Sequence, residues 1–170
     1  MRSSILRGVG AAALAGTLVF TAACERHDHG GHAVVSEITI LDRSTTPHSP
    51  IATWTPDGGW NQTNLVTMSH SADAGRTRVS LGAQVLDGGG HEIPLTRDGE
   101  YGIRYGVASD PNGVIDLDTT DPDFYFHGDH VHIYSDNDAR PTGSAQIVFA
   151  LWHDDHSDAE TDPITVTVTD

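Results

Sequence analysis

Beyond residue 34, apolar and polar residues alternate along most of the chain with a period of two, and no convincing helical stripe interrupts them. Side chains at i and i+2 share one face of a strand, so the pattern predicts strands with a single buried face. These fall at Val35–Leu41, Ile51–Thr55, Gln62–Ser69, Thr77–Asp87, Glu100–Ala108, Phe124–Phe126 running into His130–Ser135, Ala145–His153 and Pro163–Thr169. Turn clusters separate them at Pro56–Gly59, Asp87–Gly90, Asp110–Gly113 and Arg140–Gly143, where glycine supplies positive φ or proline presets a turn dihedral. The last strand alternates strictly and is expected to bury Ile164, Val166 and Val168. About eight strands without a helix predict an all-β fold, an antiparallel two-sheet sandwich of immunoglobulin-like outline. A jelly roll or cupin-like barrel is the alternative. Trp54 and Trp60 flank the Pro56–Gly59 turn and are expected to pack in the core or across a hairpin.

The first 23 residues break this pattern. Arg2 and Arg7 precede an uncharged run from Val9 to Ala23, shorter than the roughly 20 apolar residues of a membrane span and suited to a secretory signal. The run ends in Thr21-Ala22-Ala23-Cys24, and Cys24 is the only cysteine. This segment resembles the lipobox of bacterial lipoproteins, although Thr21 stands where that family prefers leucine. The resemblance implies cleavage before Cys24, lipid on its thiol and attachment of the mature chain to a membrane facing the periplasm or the exterior. Residues 24–34, which contain Arg26-His27-Asp28-His29-Gly30-Gly31-His32, lack apolar periodicity and read as a flexible His-rich tether. The expected organisation is therefore signal peptide (1–23), tether (24–34) and one β-sandwich domain (35–170).

With a single cysteine no intramolecular disulfide forms, so the core must hold the domain. Charge narrows the partners. Removing the two leader arginines leaves seven basic residues against 24 acidic ones, a mature net charge of −17, and lysine is absent. Such a surface repels nucleic acid and anionic headgroups and attracts cations.

Histidine carries the chemistry. Of eleven histidines, five lie in Phe126-His127-Gly128-Asp129-His130-Val131-His132 and Trp152-His153-Asp154-Asp155-His156-Ser157-Asp158. Neutral imidazole suits zinc, copper and nickel, and three or four converging nitrogens or carboxylates complete a tetrahedral zinc shell. If the strands around the turn at 136–143 pair as a hairpin, His127 approaches His153, with His130, His132 and His156 nearby. His127, His130, His132, His153 and His156 are the expected metal ligands. Asp129, Asp154, Asp155 and Asp158 are the expected ligands or outer acceptors that fix the imidazole tautomers. His27, His29 and His32 in the tether are expected to capture metal loosely, similar to His-rich stretches of bacterial metal-acquisition lipoproteins. His130-Val131-His132 also resembles the copper-ligand pair of copper–zinc superoxide dismutases, but the disulfide of that family is missing. Clustered oxygens at Asp110, Asn112, Asp116 and Asp118 suit calcium, without the spacing of an EF-hand.

No nucleophile elbow, phosphate-cradling loop or paired catalytic carboxylates stand out, so catalysis is not expected. The sequence thus reads as an exported, membrane-anchored metal-binding lipoprotein, zinc foremost, acting in extracytoplasmic metal binding or acquisition. A surface-displayed structural or adhesion module without transition metal is the alternative, and a metal-dependent enzyme the third reading.

Overall fold

The computed structural model describes residues 31–70, 77–96, 100–116, 128–135 and 140–170. Among the described residues there are eleven strands and no helix: β1 (Val35–Asp42), β2 (Ser49–Thr55), β3 (Gly59–Trp60), β4 (Asn64–Ser69), β5 (Arg78–Asp87), β6 (Tyr101–Ser109), β7 (Ile115–Asp116), β8 (His130–Ser135), β9 (Gly143–His153), β10 (His156–Glu160) and β11 (Ile164–Thr169). All belong to the unit His32–Asp170.

Two sheets pack face to face. The first runs β3-β2-β1-β5-β8-β7. In the second, β9 carries β6 along one edge and β10 followed by β11 along the other, with β4 outside β11. The β4–β11 pair is parallel, so this sheet is mixed. Alternation supplies the core as expected. Ile38, Ile40, Leu81, Val85, Val131 and Ile133 face inward from the first sheet. Ile103, Ile147, Phe149, Leu151, Ile164, Val166 and Val168 meet them from the second. Trp54 and Trp60 pair across the β2–β3 turn. Both indoles reach the link between β10 and β11, donating to the Asp162 carboxylate (3.2 Å) and carbonyl (2.7 Å) respectively.

One expectation about pairing is corrected. His130–Ser135 and the strand after the 136–143 turn do not form a hairpin: β8 lies between β5 and β7, whereas β9 lies in the other sheet. Both strands present one apolar face, and such faces fit across a core as well as side by side. The chain changes sheets between Ser135 and Gly143. Phe124–Phe126 lies outside the described residues.

The longest strand, β9, organises the second sheet. Its neighbours β10 and β11 are one interrupted strand, and Thr161 keeps the ladder intact at the interruption. The Thr161 amide donates to the Phe149 carbonyl (2.9 Å) while the Phe149 amide donates to the Thr161 hydroxyl (3.0 Å). That junction holds β10 against the far end of β9.

Candidate metal centre

At that far end β9 turns back into β10 through Asp154-Asp155 alone. Asp154 takes positive φ (49°), a conformation its short polar side chain tolerates, and the Trp152 indole donates to its carbonyl at 3.0 Å. His153 and His156 are therefore directly opposed, with ring centroids 5.4 Å apart. The register then shifts between Ser157 and Ala159, which makes Asp158 the extra residue of a bulge. Its carboxylate is fully buried although the strand around it is polar.

Two tether residues close on this carboxylate. The Ala33 amide donates to Asp158 Oδ2 (2.9 Å), and His32 Nδ1 stands 2.9 Å from Oδ1. His156 Nε2 approaches the same Oδ1 at 3.1 Å and His32 Nδ1 at 3.3 Å. Among the described residues, His32, His156 and Asp158 form a group of three donors close enough to share one ion. The edges of this triangle, 2.9, 3.1 and 3.3 Å, are at or a little below the edge of about 3.3 Å that zinc bonds of about 2.0–2.1 Å give, so a slight spreading of the three atoms would admit the ion. With one ring nitrogen protonated the three atoms form a hydrogen-bonded cluster, and with both deprotonated they can serve as ligands to one cation.

Carboxylates and a further imidazole surround the triangle. His156 Nδ1 lies 3.2 Å from Asp155 Oδ1. That contact raises the His156 pKa against the opposing effect of desolvation, with help from Asp158. Burial pushes the Asp158 carboxyl up, but the Ala33 amide, the His32 ring and the nearby imidazoles outweigh it and hold the pKa below the ordinary carboxylate value. His153, only 3% exposed, stacks on Tyr101 with centroids 4.8 Å apart. Its Nε2 lies 3.5 Å from Asp154 and 3.6 Å from Glu100, and its Nδ1 faces Asp158 Oδ2 at 3.7 Å. Burial, followed by the charges of Glu100 and Asp158, raises the Tyr101 hydroxyl pKa.

The sequence-derived ligand set is thus divided. His153 and His156 sit on the β9–β10 hairpin, and His130 and His132 sit on β8 in the other sheet with ring centroids 5.1 Å apart. The three-donor group takes His156 and leaves the β8 pair out. His127 lies outside the described residues, as do His27, His29, Cys24 and Asp118. Asp154 and Asp155 stand behind imidazole nitrogens, as outer acceptors do, whereas Asp158 stands among the donors themselves. Asp129 serves a different cluster, bridging His130 Nδ1 and Arg43 Nη1 at 2.8 Å each.

His32, expected to capture metal loosely as part of the tether, joins this group because the tether's end meets β10. At the calcium candidate, the two Asp110 oxygens accept the Val114 and Ile115 amides, both at 2.9 Å. Asp110 thereby closes its own loop, Asn112 is exposed within it, and Asp116 pairs with Tyr134. His48 and His70 are held by the Thr45 and Pro141 carbonyls, and His91 lies beside Asp87.

Comparison with family models, curated proteins and solved structures returns no match. The functional reading therefore rests on this geometry and on the sequence.

Proposed function

We propose that this chain is an exported, membrane-anchored protein that binds a divalent transition metal, zinc before copper or nickel, through His32, His156 and Asp158. The observation that carries the reading is the donor triangle, with edges of 2.9, 3.1 and 3.3 Å, built by residues 124 and 126 positions apart in sequence. The Asp155 carboxylate behind His156 supports it, because carboxylates on the far ring nitrogen orient metal-ligating histidines and raise their basicity. The leader and Cys24 supply the export and anchoring half of the proposal. Binding or acquisition of metal outside the cytoplasm unites the two halves. The acidic surface concentrates cations near the site.

Isothermal titration of the mature chain with zinc tests this against the same chain carrying His156→Ala and Asp158→Asn. One equivalent bound by the wild type and lost in the double variant is expected. Equal heats from both proteins would leave the structural or adhesion module as the better reading.

A further inference from the structure

Three donors leave a tetrahedral ion one ligand short, and the residue beside the triangle has an unexplained atom. His153 Nδ1 is buried and has no hydrogen-bond partner. An orphaned polar atom in a residue only 3% exposed is costly unless something absent from the protein's own atoms completes it. It lies 3.7 Å from the Oδ2 of Asp158, whose Oδ1 is a corner of the triangle. Its ring is opposed to that of His156 across a two-residue turn, an arrangement that puts paired Cβ atoms about 4.5–5.5 Å apart on one face. Its other nitrogen already has carboxylates behind it, Asp154 at 3.5 Å and Glu100 at 3.6 Å. His153 therefore repeats the pattern of His156: an outer carboxylate on one nitrogen, the other turned toward Asp158.

We infer that His153 is the fourth ligand, and that the ion is held in a closed shell of three imidazole nitrogens and one carboxylate oxygen. The inference rests on the three-donor reading above and deepens it. In this conformation Nδ1 faces Asp158 Oδ2 and lies outside the group of three, so the shell closes by rotation of the His153 ring or a slide of the hairpin. That motion also relieves the orphaned nitrogen. A closed shell leaves no place for a reactive water, as in structural zinc sites and unlike catalytic ones. Its chemistry selects zinc and cobalt(II) over calcium and magnesium, which require oxygen-rich shells of six or more ligands. The protein then holds its ion and does not use it in hydrolysis.

Cobalt(II) is the probe, because its visible absorption separates four-coordinate from six-coordinate sites. The mature chain is used with Cys24→Ser, which removes its one thiol. One equivalent of cobalt is expected to give the intense four-coordinate bands, and zinc to abolish them. His153→Ala is expected to bind cobalt about 100-fold more weakly, the upper end of losses seen when even outer partners are removed, and to show shifted, weaker bands as water takes the fourth place. Unchanged affinity and bands in His153→Ala would overturn the inference and leave the three-donor site standing. A wild type that binds neither cobalt nor zinc would sink both. Should the variant fail to fold, the nitrogen NMR shift of His153 Nδ1 in the wild type decides. Movement to a metal-bound position on adding zinc supports the fourth ligand, and no movement refutes it.

Discussion

Asp129 and Asp158 place the same functional group in different company. Asp129 is half exposed and bridges Arg43 and His130. Desolvation works against its charge, but the His130 and Arg43 contacts win and lower its pKa. A carboxyl with a depressed folded-state pKa adds stability above its unfolded value, near 3.9, and gives it up as pH falls through the folded value. Asp129→Asn is therefore expected to cost about 0.5 kcal/mol at neutral pH, the scale of an exposed ion pair. Urea denaturation across a pH series should show that difference shrinking to nothing in strong acid. A difference that persists at the acid end would mean the side chain acts by packing. Asp158, by contrast, is out of reach of solvent, and its two oxygens serve the tether and β10 together. The sequence groups it with Asp129, Asp154 and Asp155 beside the histidines, and nothing there sets it apart from those three, since its burial comes from a bulge.

Element by element, what alternated was legible. The strict run Ile164–Thr169 became β11 with Ile164, Val166 and Val168 buried. β10 was missed because His156-Ser157-Asp158-Ala159-Glu160 holds a single apolar residue, and period-two reasoning has nothing to detect in it. Without β10 the turn at Asp154-Asp155 has no second arm, and the alternation points instead to a pairing of two strands that belong to opposite sheets. A polar strand of this kind depends on its junction. Thr161→Val removes the hydroxyl that accepts the Phe149 amide and leaves that buried donor unpaired. The expected cost is about 1–3 kcal/mol, read as a lower urea midpoint with an unchanged slope. A change below about 0.5 kcal/mol, the range of neutral surface substitutions, would show that β10 is held by other means.

For the molecule as a whole, the architecture followed from the core, and the site followed from where loose ends meet. Two apolar faces are enough to specify a sandwich, whereas the proximity of His32 to Asp158 is a product of topology that spans 126 positions. Localisation belongs to this scale too. If the leader is a lipobox, growth with a labelled fatty acid is expected to label the chain, and Cys24→Ser to abolish the label with zinc binding unaltered. A wild type that takes up no label would mean that Cys24 carries no lipid.

The short reach of residues 32 and 33 onto β10 has a mechanical meaning. If an ion sits among His32, His156 and Asp158, it ties a loop of more than a hundred residues shut, much as a disulfide would, in a chain whose one cysteine cannot make that bond. Such a clasp favours the folded chain by mass action and slips loose whenever a chelator takes the ion away. The durability of this protein would then track the zinc around it, with starved molecules the first to be degraded.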